Sequence, residues 1–588
     1  MKTASQEYDV IVVGGTPGGI MAAVAAARGG ATVLLLERTA HLGGLPANGL
    51  GCTDIATHGA TGGLYAEFIA RIHDYYVQTY GADSEQVRLC CNGLHFEASL
   101  AERVLEFLLG EHAGAVTVLR ERQFEAQGGH VAMEAGRVRR VEVRNRKTGQ
   151  LESYAGRVFV DATYEGDLAA AAGAPFRTRR EGRTEYNEAA AGRIYKAWAG
   201  GAGEGSTGEG DDTIQAYNYR LCLTDRPDNR VPIPRPATYN RAEYRSLVDD
   251  IKLGRMTGPA RHELELDGIG RIVNMVALPN GKTDSNNQHL AFLSTDLPEE
   301  NYAWPTADWA WRDRFAARLR DYTLGLLWFA QNDPDLPAEF RTACGRWGFA
   351  RDEYQDNANF PRQVYVREGR RIEGAHLFVA GDALPVAPGG RPPLYASSIT
   401  ASHYALDSHA VRKREPGRVN LDGFLSYPTK PYTVPFGVMV PRGLDNVLTP
   451  VPVSGTHIGF STLRMEPCWM ALGQAAGVAA AMAARSGVAV GSLDVADLQR
   501  ALLDQGAVLI YYRDAAPTHP AFKGLQFFGV RGAIPEWDAR LDEPASAPDV
   551  ARWAALAGVG PAAVVPGAIT RGDVLRRLYE RPAGNLGT

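Results

Sequence analysis

Residues 8–37, YDVIVVGGTPGGIMAAVAAARGGATVLLLE, decide the fold. Val10 to Val13 is a short apolar run that reads as a buried strand. Gly14 to Gly19 is a tight glycine-rich turn, and Ile20 to Arg28 reads as an alanine-rich helix. Ala31 to Leu36 is a second buried strand ending at Glu37. Strand, turn, helix, strand and terminal acid in this order make the βαβ unit that binds a dinucleotide. Gly14 lets the chain turn sharply off the strand, and Gly19 lets the helix pack close to the sheet. Gly15, Thr16, Pro17 and Gly18 complete the turn, and the N–H groups at the helix start are expected to face a pyrophosphate. Thr16 stands where G-x-G-x-x-G has its middle glycine; its side chain narrows the approach, and its hydroxyl can donate to a phosphate oxygen. Glu37, with Arg38 beside it, is placed to meet the ribose, and an acid there favours FAD or NAD over a 2′-phosphate.

The chain has 588 residues, a hydrophobic content of 45% and a formal net charge of −5. That length predicts two to four domains, and that charge carries no basic patch of the kind nucleic acid needs. MKTASQEYDV runs into the first strand without an apolar signal region, and the Ala-rich segment Ala471 to Ala484 is too short and small-residue-rich to span a bilayer. The expectation is a cytoplasmic soluble enzyme with no nucleic-acid or membrane partner. The six cysteines, at 52, 90, 91, 222, 344 and 468, form no C-x-x-C and no zinc-ligand spacing with histidine, so no metal is expected.

Outward from the βαβ unit, HLGGLPANGLGCTD (41–54) is too glycine-rich for a regular element. Gly43, Gly44, Leu45, Asn48 and Gly49 are expected to pass under the pyrophosphate and beside the flavin ring. Leu64 to Tyr76 and Ser99 to Leu109 read as amphipathic helices. Val116 to Leu119, Arg139 to Val143 and Arg157 to Val160 read as strands of a small sheet. RVFVDATYEGD (157–167) resembles the second cofactor-contacting strand of FAD enzymes, with Asp161, Ala162, Thr163 and Gly166 at the turn. Residues 195–215 are glycine-rich and expected to be mobile. From Tyr217 to about Gly374 the βαβ rhythm is lost, which predicts an inserted substrate domain. Leu377 to Ala380 reads as a strand, and Asn446 to Val453 leads through a small-residue turn into a long Ala/Gly helix. Asp549 to Leu556 and Arg571 to Tyr579 carry helical patterning in a small appended module. No second glycine unit follows a strand, so the chain is expected to hold FAD alone and to take electrons from a substrate that enters directly.

Several motifs together resemble the FAD-dependent oxidoreductase family whose members are often labelled xanthan lyases, within the glutathione-reductase-like flavoproteins. They are VGGTPGGI at Val13, VFVDATYEGDLAAAAG at Val158, QAYNYRLCLTD at Gln215, LPNGKTDSNN at Leu278, VYVREGRRIEG at Val364, DNVLTPVPVSGTH at Asp445 and LRMEPCWMALGQAAGVAA at Leu463. The resemblance covers nearly the whole length. It implies an α/β fold: a Rossmann-like FAD-binding domain (1–194 and 375–490) interrupted by an α+β substrate domain (195–374), then a C-terminal helical module (491–588). It also implies that the segment from Gly455 to Ala480 approaches the flavin, with Ser454, Gly455, Thr456 and Met465 among the cofactor-binding residues. The sequence departs from the family at Pro450 and Pro452, where a small Ala-Gly pair is expected near Thr449-Pro450.

Removing hydride from a carbon needs a base, an anchor and the donor carbon held over the flavin. His457 ends the small-residue turn and is the expected base; Arg464 is the expected anchor. His403 is a second candidate, on an expected helix from Ser398 to Val411 with His409 and Asp407. Arg367, Glu368, Arg370 and Arg371 read as a charge cluster, more a salt-bridge network than a substrate surface. Tyr217, Asn218 and Arg220 fall on a strand whose alternate residues Asn218 and Arg220 share a face. Lys282, Asp284 and Asn286 read as a polar loop. The expected activity is an FAD-dependent dehydrogenase or oxidase acting on a polar small molecule that is sugar-like or bears a hydroxyl or acid, with oxygen or another acceptor reoxidising the flavin. An NAD(P)H-fed monooxygenase or reductase, and a carbohydrate lyase or polysaccharide-binding protein, are the alternatives. A homo-oligomer is compatible with the sequence.

Overall fold

The computed structural model describes residues 7–127, 129–196, 200–258, 268–561 and 569–581. The chain opens with β1 (Glu7–Val13), α1 (Pro17–Arg28) and β2 (Val33–Leu36), then α2 (Leu64–Tyr80) and α3 (Ala98–Gly110). β3 (Val116–Leu119), β4 (Arg122–Phe124), β5 (Val131–Glu134), β6 (Arg137–Asn145) and β7 (Leu151–Asp161) follow. β3, β2, β1 and β7 lie side by side and parallel, with Val13 in register with both Leu36 and Asp161. β4 and β5 pair antiparallel with β6, which pairs antiparallel with β7. The late strand Val447–Leu448 returns to pair parallel with β7. The fold is therefore mixed α/β around a sheet with parallel strands. β1 and β2 are apolar on both faces because the parallel part is covered on both sides.

A second sheet is antiparallel throughout. It contains β8 (Leu221–Thr224), β9 (Arg230–Val231), β10 (Val273–Leu278), β11 (Lys282–Asn287) and β12 (Gly348–Ala350), in the spatial order β9-β12-β8-β11-β10. Between β11 and β12 runs α4 (Trp309–Asn332), a 24-residue helix capped by Asp308. After the second sheet come α5 (His457–Leu463) and α6 (Glu466–Ser486). Four helices of eight to ten residues close the chain: Val495–Asp504, Phe522–Gly529, Ala547–Leu556 and Arg571–Tyr579.

Four local expectations change, Leu377 to Ala380 among them: Phe378 makes a lone parallel bridge to Gly455, and Ala380–Ala383 is a helical turn. The polar stretch at Lys282 is strand β11, the return arm of a hairpin with β10, instead of a loop. Ser398 to Val411 is not a helix: Ser398–Ser402 pairs with Tyr432–Pro435, and Leu406–Ser408 pairs with Leu425–Tyr427. β-Branched Ile399 and Thr400, with serines at 398, 402 and 408, disfavour a helix there. The long Ala/Gly helix is two helices, α5 and α6. Pro467 lacks an N–H and its ring clashes with the carbonyl four residues back, so α5 cannot run through it and α6 restarts with proline in its first turn. Of the glycine-rich stretch 195–215, residues 197–199 lie outside the described residues. Within the rest, Gly208 N donates to Arg193 O and Asp211 bridges Arg180.

α1 and α6 cross with their backbones in contact. A methyl group at Gly473 would collide with the Gly18 carbonyl, and one at Gly477 with the Ala22 carbonyl. One at Gly18 would sit 3.0 Å from the Trp469 carbonyl. Among the described residues α6 is the one helix long and apolar enough to cross a membrane, and 94% of that stretch is buried inside the protein. Gly473→Ala is expected to lower the unfolding free energy by about 1–3 kcal/mol through overpacking. Gly110→Ala, where the added methyl meets nothing within 4 Å, is expected to be neutral or slightly stabilising. Denaturant titration of the two variants measures the difference.

Candidate active site

The turn between β1 and α1 is built on Gly14, whose φ of +107° favours glycine and whose α-carbon faces the Ala162 backbone. Thr16 caps α1: its hydroxyl accepts from Gly19 N at 3.1 Å and donates to Ala162 O at 2.8 Å. The hydroxyl is thus turned inward, locking the turn to β7, and is not offered to a phosphate. Pro17 takes the first helical position, where its missing N–H costs nothing. Gly19 packs 3.0 Å from the Ala162 methyl on the ideal side-chain position. Glu37 accepts from Gly15 N at 2.8 Å and from Thr39 N at 2.7 Å, so it ties its own strand end to the glycine turn. Burial pushes its carboxyl up, and those two N–H groups pull it back.

The loop after β2 closes over the turn. Gly43 N donates to Gly15 O at 2.8 Å, and Leu45 N donates to the Tyr164 hydroxyl at 3.2 Å. Gly44 lies against that hydroxyl and Pro17. Asn48 donates to Gly44 O at 2.8 Å and accepts from Arg362 N at 3.0 Å. Gly49 packs on the Arg220 carbonyl. Asp161 faces its own turn: it accepts from Thr163 N and Oγ1 at 3.1 and 2.7 Å and from Ala169 N at 2.8 Å. Thr163 Oγ1 in turn accepts from Gly166 N at 3.0 Å.

A cavity open to solvent, of about 150 Å³, runs along this framework. Of the expected cofactor residues, Gly14, Gly15, Thr16, Glu37, Arg38, Gly44, Asn48 and Thr163 line it. Pro17, Gly18, Gly19, Gly43, Leu45, Gly49, Asp161, Ala162 and Gly166 do not line it; Gly19, Gly43, Leu45, Asp161 and Ala162 brace it through the contacts above. The opposite wall comes from Trp304, Trp309 and Asp313 and from Arg362 to Val364 and Val366. Sequence reasoning missed these; Asp308 followed by Trp309 and Trp311, a cap leading into aromatic residues, was the available signal. Arg38 lies 3.9 Å above the Trp309 ring and pairs with Asp313 at 2.7 Å. A glycine turn at a helix N-terminus, an acid at the end of the second strand and an open groove running past both fit an adenine dinucleotide.

Residues 454–457 stand outside that cavity. Thr456 caps α5 and donates to Glu188 at 2.7 Å. The Gly455 carbonyl accepts from Arg371, and Ser454 Oγ is buried without a partner. His457 is 1% exposed. Its Nδ1 meets Glu368 at 2.9 Å, its Nε2 meets Ser408 Oγ at 3.0 Å, and its backbone N–H goes to Glu181 at 2.7 Å. Arg371 joins Glu181 and Glu368 at 3.1 and 3.0 Å, completing a closed network. With both ring nitrogens engaged, His457 holds helix α5 in place, and it stands apart from the cofactor cavity. His403 is tied to Thr57 Oγ1 at 2.7 Å, and burial pushes its ring pKa down. Met465 precedes α6 and accepts from Trp469 N at 3.0 Å.

Arg464 belongs to a different group. It donates to the Tyr365 hydroxyl at 2.8 Å and pairs with Asp407 at 3.0 Å. Arg220, Arg367 and Arg464 all lie 4.7–5.8 Å from the Tyr365 ring. Asn218 and Arg220 share a face as the alternation predicts, and β11 answers them in step: Asn218 donates to Asn286 at 2.9 Å, and Arg220 pairs with Asp284 at 2.6 Å. Arg367 pairs with Asp296 at 2.8 Å, and His409 bridges Asp296 and Asp407 at 2.9 and 3.7 Å. Asp54, half-buried, has among the described residues one side-chain partner, the Tyr404 hydroxyl at 3.3 Å. Burial pushes the Asp54 carboxyl up against the pull of Arg220. Burial also opposes charge on Asp407, but His409 and Arg464 hold it down at about 2.

The chain matches the FAD dependent oxidoreductase family model over residues 9–502. It belongs to that family. FAD is the cofactor that the family's name carries. Among curated proteins, none matches it. Solved structures similar to part of it include the OxyS anhydrotetracycline hydroxylase from Streptomyces rimosus, at 14% identity and TM-score 0.22, covering 33% of this chain and 41% of that one. The glycerol-3-phosphate dehydrogenase from Bacillus halodurans complexed with FAD matches at 12% identity and TM-score 0.21, covering 34% and 44%. The myxobacterial chondrochloren halogenase CndH matches at 20% identity and TM-score 0.21, covering 39% and 46%. The chain thus spans less than half the length of each of these three.

Glu37→Gln replaces one acceptor oxygen by an amide that meets an N–H donor head-on. It is expected to weaken FAD binding and lower stability, each by about 1–3 kcal/mol. Fluorescence titration with FAD and thermal melts of the apoprotein measure the two effects.

Proposed function

We propose that this flavoprotein oxidises a small polar molecule bearing a hydroxyl, amine or acid group, held by the cluster around Tyr365. One observation carries the reading: the cluster has buried hydrogen-bonding capacity that the protein does not use. Arg367 Nε, Arg464 Nε and Asn218 Oδ1 are buried without partners. Each such group costs about 1–3 kcal/mol, which a polar ligand would recover. The cluster also adjoins the cofactor cavity directly. Along the extended segment at 364–367, Val364 and Val366 line the cavity, while Tyr365 and Arg367 point into the cluster.

FAD, when bound, supplies the hydride acceptor. Arg464 and Arg367 anchor the substrate's polar groups through their free Nε–H, and Asp407 fixes Arg464 by remaining ionised. Asp54 takes the substrate proton. It sits on the loop that brings Asn48 to the cofactor cavity, its carboxyl has one long contact, and burial raises its proton affinity toward the range a base needs. We read the arrangement as glutathione-reductase-like, with 195–374 as an inserted substrate domain between two parts of the FAD domain. The return of Val447–Leu448 to β7 after the second sheet supports that reading.

Asp54→Asn is expected to slow reduction of the bound flavin by about 10²–10⁴-fold and leave FAD affinity unchanged. Anaerobic bleaching at 450 nm or so, against a panel of alcohols, amines and acids, reads both the substrate class and the variant. The base must be ionised, so the wild-type rate should fall as pH drops through the raised Asp54 pKa, and Asp54→Asn should lose that limb. Bleaching by NAD(P)H alone would favour a reductase instead, and an unslowed Asp54→Asn would remove Asp54 as the base.

A further inference from the structure

Glu466 and Trp469 lie three residues apart at the start of α6, where that helix meets α1. Both are buried, at 3% and 2% exposure. Glu466 Oε1 accepts from the Tyr164 hydroxyl at 2.6 Å, and Oε2 has no partner. Trp469 Nε1 has no partner either, and its ring centre is 5.4 Å from that of Tyr164. Tyr164 is itself part of the cofactor cavity wall, under Gly44 and Leu45. Two unpaired buried polar atoms on adjacent turns of one helix thus gather beside a single wall residue.

We propose that Glu466 Oε2–H and Trp469 Nε1–H form a paired hydrogen-bond donor site for acceptor atoms of bound FAD, with Glu466 entering the complex as the neutral acid. A neutral carboxyl can donate from Oε2 while Oε1 accepts from Tyr164; an ionised one can only accept and would face FAD's acceptors as a like partner. The surroundings favour the neutral form. Burial pushes the Glu466 carboxyl up to about 8; the Tyr164 hydroxyl pulls it down, and the charge of Asp54 pushes it further up. Glu165 stands by Tyr164 and adds negative charge there. Among the described residues no cation pairs with Glu466.

The proposal ties FAD affinity to a proton. The complex needs Glu466 protonated, so affinity should be flat below about pH 8 and weaken about tenfold per pH unit above it. The sign is that of an acid whose bound form keeps its proton: rising pH favours the free protein.

The test is FAD titration of the apoprotein by fluorescence from about pH 6 to about pH 9, with calorimetry in buffers of different ionisation enthalpy to count protons taken up. The wild-type protein should show the break near pH 8 and take up close to one proton above it. Glu466→Gln, whose amide donates at every pH, should bind FAD with no break. Trp469→Phe should bind about 3- to 10-fold more weakly and keep the break. A wild-type affinity that is constant over the whole range, with no proton uptake, overturns the proposal even if neither variant folds. A break that persists unchanged in Glu466→Gln overturns it too. Wild-type apoprotein that binds no FAD at any pH would instead count against the cofactor assignment itself.

Discussion

Everything in the site depends on the backbone contact between α1 and α6. Two helices normally stand 8–10 Å apart because side chains separate them. Here Gly18, Gly473 and Gly477 remove that spacer, and carbonyls of one helix occupy the space a methyl would take on the other. The helix that carries the glycine turn at its N-terminus is thereby docked on a helix from more than four hundred residues later. Both N-termini converge on the loop at Gly43–Leu45, through Pro17 on one side and the Glu466–Tyr164 bond on the other. A chain that failed to make this crossing would leave Tyr164, a residue of the cavity wall, without its Glu466 partner.

The second organising feature is the segment from Arg362 to Arg371. Its backbone is a partition. Arg362, Gln363, Val364 and Val366 face the cofactor cavity. Tyr365 and Arg367 face the charged cluster. Glu368 and Arg371 then enter the His457–Glu181 network, while Arg370 turns back to Asp167 at 2.6 Å. One run of alternating residues thus links cofactor wall, polar cluster and the anchor of α5. The buried ion pairs along it are weak evidence for stability, since desolvation offsets most of their attraction. Their observable effect is to fix where each side chain points.

Much of this was legible locally. Turn, helix and strands at 8–37 follow from hydrophobic runs, glycine placement and the cap at Thr16. Asn218 and Arg220 were found on a shared face by period-two spacing alone. Misreadings came where a local pattern had two solutions. The run from Ser398 reads as a helix that sets Asp407 one turn from His403, but strands were available to pair with it. The alanine-rich stretch after Thr456 resembles one helix, and a single proline divides it. His457 resembled a base because it ends a turn; only its partners, 49 and 89 residues away in the chain, reveal that both ring nitrogens are occupied.

The sequence by itself determined the βαβ unit, the acid that closes it and the family, because these rest on short-range spacing: a turn needs its glycines and a buried strand its apolar run. Only the tertiary structure decided which charged residues face which cavity. Asp54, Tyr365 and the neighbours Arg464 and Glu466 come from three distant segments, and their protonation and free hydrogen-bonding capacity depend on burial and on neighbours that no local window contains.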